Sequence, residues 1–180
     1  AFPGSFNSSV PAETVRNPVR EDIAAIALPA DRYGDRQGPL RLLVLGGSQG
    51  ALALNRTVPA ALALLDTEQR PEVRHQCGER TLRTAREVYA EHDVTVELLP
   101  FIEDMAGAYA WADLVICRAG ALTVAELCAV GVPALLVPYP VAVADHQTAN
   151  PKARAAAREG PIHPVHATPT PGCRQPPASC

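Results

Sequence analysis

The feature that most constrains this chain is a set of short segments that are apolar at every position rather than at every second one. Residues 42–45 of LRLLVLG (40–46), residues 114–117 of DLVIC (113–117) and ALLV (134–137) are runs of this kind. A strand with one wet face alternates apolar and polar residues, whereas a strand apolar on both sides must be covered on both sides. Such strands belong to parallel sheets with helices packed above and below.

The segments between them supply those helices. After Gly46-Gly47, residues Leu54, Val58, Ala61, Leu62 and Leu65 recur at the spacing of one helical face, with Pro59 predicting a kink or break. Further along, 73–77 reads as a strand, 79–92 as a polar-faced helix, 94–99 as a strand stopped by Pro100, 103–111 as a short helix and 123–130 as another helix. Strands alternating with helices through short connections imply right-handed crossovers and parallel strands. The predicted fold is α/β, a Rossmann-like doubly wound parallel sheet.

At 180 residues the chain is long enough for one such domain and too short for two. With 47% hydrophobic and 19% charged residues, its bulk has the composition of a folded protein. A net charge of −3 leaves no broad cationic surface for a phosphate backbone, which argues against nucleic acid as a partner. Cys77, Cys117, Cys128, Cys173 and Cys180 are odd in number and form no CxxC pair, so they read as reduced thiols rather than disulfides or metal ligands. The longest apolar stretch, 132–144, has 13 residues and three prolines, short of the roughly 20 that span a bilayer. Residues 1–10 show no basic run followed by a long apolar stretch and therefore read as no secretory leader.

In an open parallel sheet, ligands bind beyond the carboxyl ends of the strands, and three post-strand segments have the chemistry for it. In Gly46-Gly47-Ser48-Gln49-Gly50, glycines admit a close approach of backbone N–H groups to an anion and Ser48 adds a hydroxyl. The spacing matches neither G-x-G-x-x-G nor the P-loop pattern, and alone the loop fits an anion site and a plain tight turn equally. In Arg118–Glu126 (RAGALTVAE), Thr123 is a plausible N-cap and Glu126 its capping-box partner. Glu126 is also spaced to accept hydrogen bonds from sugar hydroxyls if the loop ahead of it holds a phosphate. In Asp145-His146-Gln147-Thr148-Ala149-Asn150, donors are dense, although Asp145 as the cap of a further helix explains the segment as well. None of these motifs assembles a nucleophile triad, a metal cluster or a carboxylate pair.

Read together with Asn17-Pro18-Val19-Arg20 and Phe101-Ile102-Glu103-Asp104-Met105, these strings occur in an order and spacing that resembles the C-terminal domain of the MurG family. These are bacterial N-acetylglucosaminyltransferases of peptidoglycan synthesis, and the likeness covers about residues 14–150. It implies the C-terminal half of a GT-B glycosyltransferase. The implied reaction is inverting transfer of N-acetylglucosamine from UDP-N-acetylglucosamine to a lipid-linked muramyl-pentapeptide, without a metal or other cofactor. Carried onto matching positions, Arg20 and Ser48 would approach the diphosphate and the Ile102 backbone would read the uracil edge. The backbone of Ala121, Leu122 and Thr123 would hold phosphate or sugar, Glu126 the ribose hydroxyls and Gln147 the N-acetylglucosamine hydroxyls. No catalytic residue is expected in this chain, because the acceptor loops and a His proposed as general base belong to the family's N-terminal domain, expected before Ala1. The family works at the cytoplasmic face of the cell membrane as a peripheral protein. Val141 and Ala144 depart from the His and Asp common there, at the sugar end of the pocket.

Three stretches are thus expected. Residues 1–39, with five prolines, read as an extended interdomain linker; 40–150 as an incomplete UDP-sugar-binding domain; and 151–180 as a disordered tail. That tail holds seven of the 18 prolines and four basic residues against one acidic, whereas 1–150 hold twelve against eighteen. An Ala/Arg/Pro-rich run starting at Pro151 is what a frame change in a GC-rich gene would give, which resequencing through codon 150 would test. Two other functions compete with a transferase fragment. One is a non-catalytic nucleotide-sugar subunit of a split glycosyltransferase; the other, an NAD(P)-dependent oxidoreductase, lacks its G-x-G-x-x-G.

Overall fold

A computed structural model describes residues 17–34, 36–47 and 51–138. Five strands, β1 (Arg41–Leu45), β2 (Glu72–Gln76), β3 (Glu97–Leu99), β4 (Leu114–Arg118) and β5 (Ala134–Val137), form one sheet in the order β3-β2-β1-β4-β5. Every pairing is parallel. From β1 the chain winds outward through β2 and β3, then returns to the opposite side of β1 for β4 and β5. The direction of winding therefore reverses between β1 and β4.

The doubly apolar strands are covered as their composition requires. On one face Leu42 and Val44 meet Leu54, Val58 and Leu62 of α3 (Leu52–Ala63) and Tyr89 of α4 (Leu82–Glu91). On the other, Leu43, Leu45, Val115 and Cys117 meet Tyr109 of α5 (Met105–Trp111) and Val124, Leu127 and Val130 of α6 (Ala121–Val130). Of the three thiols among the described residues, Cys77, Cys117 and Cys128, none is in a disulfide.

Two expectations are revised. The helix after β1 runs from Leu52 to Ala63 through Pro59 without interruption, and Leu65 lies beyond its end, partly exposed. Pro59 is itself buried, so its ring contributes to the face that packs on the sheet. The second revision concerns the segment expected to be extended. Its described part forms two short helices, α1 (Glu21–Ala24) and α2 (Pro29–Tyr33), anchored by the fully buried Ile23. Arg32 completes the anchorage by donating to Val130 O at 2.7 Å and Tyr109 O at 3.3 Å. These carbonyls lie in the last turns of α6 and α5, where helices leave acceptors unpaired. Proline density predicts an irregular path but not an anchored one, because a single apolar side chain that fills a gap is enough to fix a short turn.

Candidate functional site

The reversal of winding between β1 and β4 leaves a crevice at the carboxyl ends of these two strands, the place where open α/β sheets take their ligands. The turn leaving β1 is tied to its neighbour. Gly46 N–H donates to Gln76 O at 2.9 Å, and Gly47 N–H donates to the Gln76 side chain at 3.2 Å. Gly47 sits at φ +76°, a conformation that a side chain would strain. Asn55, fully buried on α3, donates to Cys77 O at 3.1 Å and so locks the start of α3 against the end of β2.

Beyond β4, Ala119 and Gly120 turn the chain directly into α6. Gly120 is the N-cap, in extended conformation, and the first helical bond runs from Val124 N–H to Gly120 O at 2.9 Å. Among the described residues, no side chain caps this end. The N–H groups of Ala121, Leu122 and Thr123 belong to the first turn, which has no intrahelical acceptor for them, and the helix dipole adds partial positive charge there. Ala121 and Leu122 are exposed, so the turn is open to an anion. The C-terminal end is closed by Gly131 at φ +67°, whose N–H donates to Leu127 O.

This geometry corrects the capping-box expectation. With Gly120 as N-cap, Thr123 is the third helical residue and Glu126 the sixth, too far in to return to the cap. Glu126 shares its face with Leu122 and Thr123, four and three residues back, and its carboxylate is taken up by long-range partners. The Tyr109 hydroxyl donates to Oε2 at 3.0 Å, and Arg20 Nε lies 3.5 Å from Oε1. The Glu126 side chain is 17% exposed, that of Arg20 50%. Burial, reinforced by the Glu126 charge, pushes the Tyr109 hydroxyl well above the usual phenol range, so it remains a donor at neutral pH. Asn17 holds this arrangement in register by donating from Nδ2 to Ala121 O at 3.1 Å.

The glycosyltransferase family 28 C-terminal domain matches residues 41–166. The chain belongs to that family. A transferase from Alkalilimnicola ehrlichii, named UDP-N-acetylglucosamine--N-acetylmuramyl-(pentapeptide) pyrophosphoryl-undecaprenol N-acetylglucosamine transferase, is 64% identical over 152 residues, 84% of this chain and 43% of its own length. A protein of the same name from Marinobacter nauticus is 55% identical over 150 residues, 83% of this chain and 41% of its own. The crystal structure of MurG from Acinetobacter baumannii matches with a TM-score of 0.75 at 42% identity, covering 91% of this chain and 45% of that one. The chain spans less than half the length of these relatives. Its fold is the Rossmann-like C-terminal half of a GT-B glycosyltransferase.

Of the site residues expected for a family 28 domain, Arg20 and Glu126 are in contact, and Ala121, Leu122 and Thr123 form the helix turn ahead of Glu126. Ile102 follows β3 and is buried in the same apolar cluster as Tyr109, Ala119 and Val124, which ties its loop to this side of the sheet. Ser48 and Gln147, like Val141 and Ala144, lie outside the described residues. Arg118 donates to Pro138 O at 2.9 Å, so the chain leaving β5 starts from the same end of the sheet. Tyr109 and Asn17 escaped sequence reasoning as site residues. The available signal was Tyr109 itself, since a tyrosine on the buried face 105, 108, 109, 112 needs a partner for its hydroxyl. Among the described residues, no group of His, Cys, Asp and Glu is arranged to hold a metal ion.

Proposed function

We propose that this chain is the donor-binding half of an inverting N-acetylglucosaminyltransferase of peptidoglycan synthesis, taking UDP-N-acetylglucosamine in the crevice between β1 and β4. The observation that carries the reading is the convergence of an uncapped helix turn, a carboxylate on the same helix and a half-exposed arginine at that crevice. The turn suits a phosphate, and Arg20 retains its guanidinium Nη groups for a second phosphate oxygen. Glu126 leans back along α6 toward the same end and suits a pair of ribose hydroxyls. The Ile102 backbone then reads the uracil edge, Ser48 joins Arg20 at the diphosphate, and Gln147 takes the N-acetylglucosamine hydroxyls. The acceptor, a lipid-linked muramyl-pentapeptide, and the general base belong to the other half, which the relatives carry in one longer chain; this favours a transferase domain over a split subunit. Residues 1–39 then serve as the link to that half, 40–150 as the donor domain, and 151–180 as a tail without a part in binding. Among the described residues no helix is long and apolar enough to cross a membrane, which is consistent with peripheral work at the cytoplasmic face.

Calorimetric titration with UDP-N-acetylglucosamine tests the reading. The expected result is binding that Glu126→Gln weakens about 10- to 150-fold, as for loss of a charged acceptor, while the melting temperature barely moves. The amide still accepts from Tyr109, and the exposed pair with Arg20 contributes little to stability. Equal affinity in the variant and its parent would remove Glu126 from the site.

A further inference from the structure

The hydroxyl of Tyr109 is not needed to fill space. Its ring is fully buried in the cluster that includes Ile23, Val124 and Leu127, where a phenylalanine ring would pack as well. The hydroxyl instead reaches from α5 across to α6 and donates to one oxygen of Glu126, leaving the other on the side of Arg20. A glutamate has three rotatable side-chain bonds, and ordering it for a ligand costs free energy unless something holds it beforehand. The Arg20 contact cannot do so alone, since it is a 3.5 Å pair on a half-exposed arginine and a bound diphosphate would compete for it. Burial keeps the Tyr109 proton in place, so the contact is a donor to the carboxylate at any physiological pH.

We propose that Tyr109 is the positioning residue of the nucleotide site: its hydroxyl fixes Glu126 with one oxygen committed and the other presented to the sugar, and so sets a preference for ribose over 2′-deoxyribose. The proposal rests on the nucleotide-sugar reading above and adds to it a residue that does not touch the ligand.

The test is calorimetric titration of the full chain with UDP and with 2′-deoxy-UDP, in the parent, Tyr109→Phe, Glu126→Gln and the double variant. The parent is expected to prefer UDP. Tyr109→Phe lowers that preference about three- to tenfold, the size of one net hydrogen bond, and weakens 2′-deoxy-UDP, which keeps only the 3′-hydroxyl for Glu126, less than it weakens UDP. In the Glu126→Gln background it lowers the preference no further, because the group through which it acts is already altered. A general loss of packing would instead reduce both affinities alike in either background, and that result overturns the proposal. So does an unchanged or increased preference in Tyr109→Phe. A parent that binds UDP and 2′-deoxy-UDP equally overturns the ribose preference on which the assignment depends, whereas a parent that binds neither refutes the nucleotide-sugar reading together with it.

Discussion

Among the described residues, His75 is a buried group whose protonation the fold tolerates poorly. It sits fully buried in β2 on the face covered by α3 and α4, with Nδ1 2.8 Å from the Tyr89 hydroxyl and the two rings edge to face at 5.7 Å. Nε2 has no hydrogen-bond partner among the described residues. A second proton would add a charge and a further donor where only one nitrogen is satisfied, and burial accordingly lowers the pKa from 6.5 to about 4. Burial raises both the Tyr89 hydroxyl and the neighbouring Cys77 thiol, so they stay neutral and offer no compensating charge. Between the folded value and 6.5 the unfolded chain binds more protons than the folded one, so stability rises with pH across this window and is lost as pH falls.

The full window of 6.5 to about 4 corresponds to about 3 kcal/mol, of which about 2 kcal/mol is lost between about pH 7 and about pH 5. That is a large share of the 5 to 15 kcal/mol typical of a domain. Urea unfolding at successive pH values measures it, with His75→Gln as the control. Glutamine keeps a polar partner for Tyr89 without titrating, so subtracting its profile removes the contribution of surface carboxylates. The parent is expected to lose about 2 kcal/mol more than the variant over that range. Parallel profiles would refute the reasoning, as would an imidazole resonance of His75 that titrates near its ordinary value in the folded protein.

Two further perturbations probe the frame around the site. Gly131→Ala places a Cβ at φ +67° and 2.8 Å from Pro29 Cγ, so it is expected to cost about 1 to 3 kcal/mol in urea unfolding and to loosen the contact of α2 with α6; an unchanged midpoint would contradict this. Asp104→Ala removes the cap of α5, where Oδ1 accepts from Gly107 N–H at 2.7 Å, and is expected to cost about 1 kcal/mol with an unchanged denaturant slope; a loss below about 0.3 kcal/mol would mean that packing alone holds this helix.

β1, β4 and β5 were legible because covered strands leave a mark in the residues themselves, whereas β2 (EVRHQ) and β3 (ELL) carry less of it and β3 is shorter than the 94–99 expected. Leu42 to Leu45 are all buried, alternately against the two helix layers, as expected for a covered parallel strand ended by a Gly-Gly turn. The β5 bounds, 134–137, fall where the apolar run predicts. Helix starts were less legible. Thr123 and Glu126 have capping-box spacing, yet the chain enters α6 at Gly120, because a glycine in extended conformation straight after β4 starts the helix before Thr123 is reached. His75 shows a different limit. In the structure it shares the buried face of β2 with Val73, but a polar residue within a strand gives no sign in the sequence of which partner waits on the next helix.

The site was legible only as a set of separate loops, and the reason is geometric. Glu126 meets Arg20, on a segment that precedes the whole sheet, and Tyr109, on the helix before it. Neither pairing follows from any local period, since helical spacing fixes only neighbours three and four residues away. What brings them together is the clamp on the first described segment, with Asn17 on a carbonyl at the start of α6, Ile23 in the core and Arg32 on a carbonyl at its end. Arg20 lies between these anchors, so it is delivered alongside α6 rather than left on a free linker. An arginine on a loose segment would lose its conformational freedom on meeting an anion, whereas one already held beside the helix loses less, and the binding free energy is correspondingly more favourable. The two short helices before the sheet thus bear on the proposed donor site as much as the loops that follow the strands.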